Sequence, residues 1–270
     1  MVQEDKLVAI LNDIAAPQSA EPWDNCGFQL RTGRTAYEKI LVCLEVTKAV
    51  IEEAKQVGAD LILAHHPMIF SSIRNVDDNN ITGNYLIELI RAGISVFAIH
   101  TSFDKAAEGN NRYLARLLDL CDTEDMRTGP GPYDYMGCTG IFSREITLRQ
   151  AVRIVCDALS LKESDIRVVG VPDGKVKHVA LCTGAGAEFI AQMPQLGCDL
   201  YITGDVKYHD AQKAKELGLA LIDAGHYGTE AIFTENAAAQ LKERLAGAAV
   251  VLPSMIDLNP FVDLDDMREI

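Results

Sequence analysis

The stretch KILVCLEVTKAVIEEAKQVGADLILAHHP, residues 39–67, decides the fold class of this chain. Two short apolar runs, KILVCLEV and ADLILAHH, flank a segment whose apolar positions recur at helical spacing. The pattern continues through the helical segment NYLIELIRAG to a third apolar run, ISVFAIH, at residues 94–100. Such alternation is typical of a mainly parallel sheet with both faces covered, so the sequence predicts an α/β fold. Gly58 and Gly93 are predicted to end the two helical segments.

The same order of elements returns in the second half, as KHVALCTG, CDLYITGD, HDAQKAKELG and LALIDAGH. GADL at residues 58–61 matches GCDL at residues 197–200, and in each half a later strand ends in a histidine with an acid four positions on. These pairs are His100 with Asp104 and His226 with Glu230. We interpret the pattern as an internal duplication: two α/β lobes related by a pseudo-twofold axis, with strand carboxyl ends around a shared metal cleft.

We assign residues 1–119, with the HH and HTSFD motifs, to the first lobe, and residues 120–270, with TGDVKYHD and GHYGTE, to the second. The tail after Leu252 leaves three alternatives: it caps the fold, it packs on a neighbouring subunit, or it returns to the first lobe. Its acidic residues are Asp257, Asp263, Asp265 and Asp266.

Composition excludes global disorder, since 48% of the 270 residues are hydrophobic and 24% are charged. Lys and Arg total 25 against 39 Asp and Glu, a formal charge of −14. The averaged field therefore repels phosphate backbones and anionic membranes, which argues against nucleic acid and membrane partners. A small anionic substrate stays compatible with this charge because a metal site reverses the local sign.

Seven cysteines, an odd number with no CxxC pair, argue against a disulfide framework and a zinc ribbon. Cys43 and Cys182 lie inside apolar runs and are predicted to belong to the core. The N-terminus opens with acidic residues and its apolar positions recur at helical spacing, unlike a signal peptide. No apolar run approaches the roughly 20 residues that span a bilayer. We expect a cytoplasmic protein.

Histidines and carboxylates at predicted strand ends suggest a metal centre. His65 and His66 end the run LILAHHP, while Asp104 and Glu230 follow equivalent strands in the two halves. Taken singly, each has a structural alternative, because histidines are buried in cores and acids favour the first turn of a helix. Taken together with His226, they suit two ions with nitrogen and oxygen ligands, such as Zn²⁺, Mn²⁺ or Fe²⁺.

Motifs for a serine nucleophile, a P-loop and a dinucleotide site are absent from the sequence, which contains no GxSxG, no GxxxxGK[ST] and no GxGxxG. The nearest glycine-rich turn is CTGAGAE, at residues 182–188, which serves either as an anion cradle at a helix start or as a simple strand-to-helix turn. A dinuclear centre needs no serine or cysteine nucleophile, because it activates a water molecule and polarises a substrate oxygen. The sequence therefore favours a metal-dependent hydrolase.

The motif EPWDNCGFQL carries three candidates for the rim of the cleft, Trp23, Asp24 and Asn25. They either contact substrate or serve as a packed ring and an Asx turn. His100 aligns with the proposed ligand His226, and is either a ligand or a neighbour of the ligands.

The motif TGDVKYHD supplies a second group of candidates, Asp205, Lys207, Tyr208 and His209, after a strand that is predicted to end at the same cleft. Lys207 and His209 are tentative catalytic residues, which would contact an anionic substrate or donate a proton. Asp205 and Tyr208 are candidates for substrate contacts or for support of the ligands.

The motifs AEPWDNCGFQL, LAHHPMIF, HTSFD, TGDVKYHDAQ and IDAGHYGTE, in this order, resemble the family of GTP cyclohydrolase I type 2 homologues, also called NGG-one interacting factor three-like proteins. The resemblance covers nearly the whole chain. It implies a toroidal homohexamer with a dinuclear metal centre in each subunit, facing the interior cavity. The ligands that it implies are His65, His66, Asp104, His226 and Glu230, with Glu230 bridging both ions.

Two functions follow as hypotheses. The first is a dinuclear metal-dependent hydrolase, similar to GTP cyclohydrolase I type 2, that acts on a nucleotide or similar small anionic substrate through metal-bound hydroxide. The alternative is a non-catalytic metal-binding ring that acts as a regulator or interaction scaffold, in which the ions stabilise the fold.

Overall fold

The structure is a computed structural model and describes residues 1–262. The first half of the chain contains β1 (Val2–Gln3), α1 (Glu4–Ile14), β2 (Gly27–Leu30), β3 (Ala36–Tyr37), β4 (Lys39–Cys43), α2 (Lys48–Val57), β5 (Leu61–Ala64), α3 (Ile81–Ala92), β6 (Ser95–Ala98), α4 (Thr101–Asp104) and α5 (Asn110–Leu117). The second half contains β7 (Cys121–Arg127), β8 (Tyr135–Thr147), α6 (Leu148–Leu159), β9 (Arg167–Val169), β10 (Lys175–Leu181), β11 (Leu200–Thr203), α7 (Tyr208–Glu216), β12 (Ala220–Asp223), α8 (His226–Glu230), α9 (Phe233–Leu245) and β13 (Val250–Pro253). Short 3-10 helices lie at Pro17–Ser19, Glu163–Asp165 and Ala187–Gln192.

A five-stranded sheet has the strand order β13-β4-β5-β6-β2. Its first four strands are parallel, with Ile40 opposite Leu61 and Leu61 opposite Ser95, and β2 is antiparallel to β6. Every residue of β5 and β6 is buried, as expected for strands whose two faces are both covered. The α/β fold class is confirmed.

A six-stranded sheet has the order β7-β8-β10-β11-β12-β9. Its centre, β10-β11-β12, is parallel, and the flanking pairs are antiparallel. Three successive parallel strands thus form the centre of each sheet, with an antiparallel strand beside the third. This likeness supports the internal duplication, which stays a prediction. A minor sheet pairs β1 with β3.

Helix ends follow the local sequence signals. Gly58 and Gly93 cap α2 and α3 in the left-handed conformation, each with φ +67°, as predicted. At the other ends, Thr47 accepts a hydrogen bond from Val50 N–H and Asn80 accepts one from Gly83 N–H. These caps fix where the chain re-enters the sheet.

The C-terminal segment joins the sheet formed by the first half. Helix α9 packs on α1, and β13 pairs with β4 in parallel, with Val251 opposite Ile40. The carboxyl-terminal end of the described chain therefore lies beside the predicted first lobe, residues 1–119. The lobe boundary at residue 120 stays a prediction, and Asp263, Asp265 and Asp266 of the tail lie outside the described residues.

Two further sequence predictions concern the core and the membrane. Cys43 and Cys182 are 0% and 3% exposed, and burial raises the pKa of both thiols well above the ordinary value. Both residues are core, as predicted. Within residues 1–262, no helix is long and apolar enough to cross a bilayer.

Candidate metal centre

The candidate ligands lie where buried parallel strands end. His65 and His66 directly follow β5, and their backbone N–H groups donate to the carbonyl oxygens of Cys43 and Leu44, at 3.1 and 2.9 Å, which prolongs the pairing with β4. Asp104 is the last residue of α4, the short helix after β6. Parallel strands of one sheet bring their carboxyl ends to one edge, so these residues meet there.

His226 and Glu230 approach the same edge from the second sheet. They begin and end α8, which follows β12 after a turn at Gly225. Their four-residue separation puts both side chains on one side of a helical turn, as the spacing predicts. The Nε2 atom of His226 lies 3.0 Å from Oε2 of Glu230.

Glu230 joins ligands from both sheets. Its Oε2 atom lies 2.9 Å from Nε2 of His66, while its Oε1 atom lies 3.8 Å from Nε2 of His65. The two carboxylate oxygens therefore serve different histidines. Glu230 is buried, with its side chain 4% exposed, whereas the His66 and His226 side chains are 22% and 36% exposed.

His65 presents an unpaired nitrogen. Its Nδ1–H donates to the carbonyl oxygen of Ile99 at 3.0 Å, which leaves Nε2 facing Oδ1 of Asp104 at 3.5 Å. His65 is fully buried, and its Nε2 has no hydrogen-bond partner among residues 1–262. Buried polar atoms are normally paired, so this orphaned nitrogen beside two carboxylates fits a metal ligand.

Neighbouring carboxylates raise the pKa of two histidines in this cluster. Burial by itself lowers the pKa of His65, but the Asp104 and Glu230 carboxylates outweigh it and raise this pKa to about 9. The hydrogen bond to Glu230, followed by one to Asp205, raises the pKa of His226 to about 9 despite partial burial. Burial raises the pKa of Asp104, whereas for Glu230 the surrounding histidines outweigh burial and lower it. A divalent cation can replace these protons.

Among residues 1–262, three groups of side chains have ligand atoms within 4.8 Å of one another. The groups are His65, His66 and His100; His66, His226 and Glu230; and His65, Asp104 and Glu230. All five ligands named from the sequence belong to them, together with His100. The cluster could therefore hold a metal ion, and its mixture of imidazole nitrogens and carboxylate oxygens suits a divalent transition metal.

Carboxylates outside the cluster orient two of its imidazoles. Asp205 Oδ2 lies 2.8 Å from Nδ1 of His226, and Asp24 Oδ1 lies 2.9 Å from Nδ1 of His100. Each contact leaves the Nε2 atom of its histidine free to face the cluster. This carboxylate–imidazole arrangement is the usual support for metal-binding histidines.

Asp24 also accepts hydrogen bonds from the start of α4 and from its own loop. It accepts from Thr101 N–H at 3.0 Å, from the Thr101 hydroxyl at 2.5 Å and from the Cys26 thiol at 3.2 Å. Burial favours a neutral carboxyl, but the hydrogen bonds from His100 and Thr101 hold the pKa of Asp24 well below its usual range. Burial raises the pKa of Cys26, so this nearby thiol stays protonated and is a poor nucleophile.

The four candidates from the motif TGDVKYHD differ in whether they contact the cluster. Asp205 reaches His226, whereas Lys207, Tyr208 and His209 are exposed at the start of α7. Within residues 1–262, Lys207 and His209 make no side-chain hydrogen bond or ion pair with the cluster. Their catalytic role stays a prediction.

Sequence reasoning missed the close approach of the glycine turn to Glu230. Gly184 has φ +70°, and a Cβ placed there would lie 2.2 Å from Oε1 of Glu230. The Gly184 N–H donates to Oγ1 of Thr229 at 2.9 Å, which ties this turn to α8. The motif CTGAGAE indicates a turn, but its spacing alone does not say which acid the turn contacts.

Asn111, also missed, links the two halves behind the cluster. Its side-chain NH₂ donates to the carbonyl oxygen of Asp104 at 3.0 Å, and its Oδ1 accepts from Thr183 N–H at 2.9 Å. Asn111 is 1% exposed. A buried asparagine whose side chain bonds residues of both halves is a structural clamp, and its position at the start of α5 gave no signal of this role in the sequence.

Comparison with known proteins identifies relatives of this chain. Residues 2–260 match the family model described as Duf34/NIF3 (NGG1p interacting factor 3). The chain is 30% identical to the GTP cyclohydrolase 1 type 2 homolog of Clostridium perfringens over 94% of this chain and 97% of that one. It is 32% identical to the GTP cyclohydrolase 1 type 2 of Helicobacter pylori over 83% of this chain and 86% of that one. A crystal structure of a Bacillus cereus protein related to NIF3 superimposes with a TM-score of 0.88 at 23% identity, covering 97% and 99% of the two chains, which supports the fold.

Proposed function

The chain belongs to the Duf34/NIF3 family, and from this membership and the geometry of the cluster we propose that it is a dinuclear metal-dependent hydrolase. The proposed substrate is a nucleotide or a similar small anionic compound. GTP is the first candidate, because relatives that align over most of this chain carry the name GTP cyclohydrolase 1 type 2 or its homolog.

The observation that carries the proposal is the position of Glu230 between histidines of both sheets. Its two oxygens face different imidazoles, with His66 at 2.9 Å from one and His65 at 3.8 Å from the other. A carboxylate so placed can bridge two ions, whereas an imidazole nitrogen binds one. We assign Glu230 to both ions, with the other ligands as the resemblance implies: His65, His66, Asp104 and His226.

Divalent ions in this cluster would lower the pKa of a water molecule and polarise a substrate oxygen. The chain itself supplies orientation and access. Ile99 and Asp205 fix the rings of His65 and His226 through their Nδ1 atoms, so both Nε2 atoms point inward. The partial exposure of His66 and His226 leaves one side of the cluster open to substrate, while the buried carboxylates are shielded from water.

His100 is placed to handle a proton beside the ligands. Its Nδ1 is engaged by Asp24, and a ring nitrogen lies within 4.8 Å of ligand atoms of His65 and His66. The Nε2 atom is therefore available to donate to a substrate oxygen or to accept from one. Asp24, ionised in this environment, keeps the ring in the orientation that this role needs.

Family membership also supports a proposal about assembly. We propose a toroidal homohexamer in the cytoplasm, with two lobes per subunit and the metal centres facing the interior cavity. Zinc, manganese and iron are the candidate ions, because the ligands are imidazoles and carboxylates.

The test compares GTP turnover by two histidine variants after chelation and reloading with Zn²⁺ or Mn²⁺. We expect His66→Ala to lose at least about 100-fold in turnover, as expected when a ligand of a catalytic ion is removed. His178→Ala removes an exposed histidine outside the cluster and should leave turnover unchanged. Full activity of His66→Ala would refute the hydrolase. Metal binding with no turnover of GTP or other nucleotides would favour the regulator or scaffold instead.

A further inference from the structure

An exposed aromatic pair lies at the open side of the cluster. Trp23 is 59% exposed and Phe70 is 58% exposed, yet their ring centroids are only 5.9 Å apart. Adjacent large aromatic rings with most of their surface in water contribute little to a core. Such rings are characteristic of binding surfaces, where they bury apolar area on contact with a ligand.

Polar contacts between two loops hold the pair in place. The Asn25 side-chain NH₂ donates to the carbonyl oxygen of Ile69 at 2.7 Å, and Ile69 N–H donates to Oε1 of Gln29 at 3.1 Å. Each ring is thus next in sequence, or nearly so, to a residue that ties the loops together. The rings are held side by side by their neighbours and not by burial of their own surface.

The His100 ring is near both the aromatic pair and the candidate ligands. His100 lies 6.1 Å from the Trp23 ring and 6.4 Å from the Phe70 ring, between centroids. The same imidazole lies 5.2 and 5.5 Å from the rings of His65 and His66. A single small molecule can therefore touch the aromatic pair with one part and the cluster with another.

We propose that Trp23 and Phe70 form a stacking platform for a planar heteroaromatic ring of the ligand, such as a nucleobase, while a polar part of that ligand reaches the cluster. The proposal rests on the proposed function for this site and names the residues that would recognise the base of its substrate. Stacking on aromatic side chains accepts any base, because every base has a π-face. The platform would thus make the site bind nucleotides more tightly than phosphate compounds that lack an aromatic ring.

Trp23 is the single tryptophan of the chain, so tryptophan fluorescence, excited selectively over that of the tyrosines, reports on the platform alone. The zinc-loaded protein is titrated with GTP and, separately, with inorganic tripolyphosphate, with calorimetry for the affinities. We expect GTP to quench the fluorescence and tripolyphosphate to leave it unchanged. GTP should bind roughly tenfold more tightly than tripolyphosphate, the size of one base-stacking interaction.

A matched pair of variants tests the rings themselves. Phe70→Leu removes a ring from the platform, whereas Phe261→Leu removes an equally simple ring that is 82% exposed near the end of the described chain. Phe70→Leu should lose most of the preference for GTP and keep its tripolyphosphate affinity. Phe261→Leu should keep both. Both rings are exposed, so neither change removes core packing.

The outcomes separate this proposal from the proposed function. Equal affinities for GTP and tripolyphosphate, or identical behaviour of the two variants, would overturn the platform. A change in particle size in Phe70→Leu with the GTP preference intact would also overturn it, because the pair would then be a subunit contact. Quenching by GTP with no turnover of GTP or of any other nucleotide would refute the hydrolase and support the platform.

Discussion

The Nε2 atom of His66 lies 2.9 Å from a carboxylate oxygen of Glu230, a residue 164 positions away in the chain. His66 follows β5 of the five-stranded sheet, and Glu230 ends the short helix α8 that follows β12 of the six-stranded sheet. The contact therefore exists only when both sheets are formed and docked. Binding of a cation at this point would couple metal affinity to the folded state, since an unfolded chain has no preformed site.

Replacement of Glu230 tests the cluster as a metal site. Glu230→Ala should lower the metal content of purified protein by more than about half, because it removes the carboxylate shared by three imidazoles. Elemental analysis measures the content. Glu235→Ala, an exposed acid on the following helix, is the control and should keep its full content. Equal metal in the two variants would show that the ions are held elsewhere.

Gly184→Ala tests the close approach of the glycine turn to Glu230. Gly184 and Gly197 share a left-handed conformation, at φ +70° and +68°, but a Cβ at Gly197 meets nothing within 4 Å. Gly197→Ala should cost about 1–2 kcal/mol of unfolding free energy, from backbone strain alone. Gly184→Ala should cost about 1–3 kcal/mol more, from the added contact with Glu230.

Denaturant unfolding and elemental analysis check this pair of glycine variants together. The steric argument requires metal content to fall in Gly184→Ala and to stay unchanged in Gly197→Ala. Indistinguishable stability and metal content in the two variants would mean that the turn does not confine Glu230.

Asn111→Ala tests the clamp behind the cluster. The change leaves the buried N–H of Thr183 without its acceptor, so it should destabilise the protein by about 1–3 kcal/mol. Asn79, an exposed asparagine whose side chain makes no such link, gives the control Asn79→Ala, which should stay within about 0.5 kcal/mol. Chemical denaturation measures both variants, and a neutral Asn111→Ala would contradict the clamp.

The pH dependence of the metal-free protein follows from the raised histidine pKa values. His65 and His226 titrate at about 9 in the folded chain, against an ordinary value of 6.5. Their protonated forms stabilise the folded state below pH 6.5, and this contribution is lost as pH rises toward 9. The free energy of unfolding, measured with chelator present, should therefore decline over this window.

Glu230→Gln isolates that contribution, because it weakens the attraction that raises both histidine pKa values. The decline between pH 6.5 and 9 should be shallower in this variant than in the unaltered chain. Taking the difference between the two profiles removes the effect of other titrating groups. Parallel profiles would contradict the assignment of the raised values to Glu230.

Much of the fold could be predicted from local sequence patterns. The runs around LILA and SVFA became buried parallel strands, because continuous apolar segments fit a sheet with two covered faces. The convergence of the five candidate ligands could be predicted, because polar residues that follow such strands meet at one edge of the sheet, whereas their role as ligands stays a prediction. His65 directly follows the apolar run LILA, so its ring was expected at the end of a buried strand.

Other features depend on long-range contacts that a linear pattern does not encode. The approach of Gly184 to Glu230 and the pairing of β13 with β4 join residues far apart in sequence. The direction of the motif after β11 depends on a single turn, since Asp205 adopts φ +55°. That turn sends Asp205 toward His226 and leaves Lys207 in solvent, and sequence alone gave no sign of it.

The most direct test of the central claim is the rate of GTP hydrolysis by chelated protein as Zn²⁺ or Mn²⁺ is added back in measured equivalents. The account predicts no turnover without metal, and a rate that rises with added metal and saturates near two ions per chain. Saturable metal binding with no hydrolysis of GTP or any other nucleotide at any loading would contradict it.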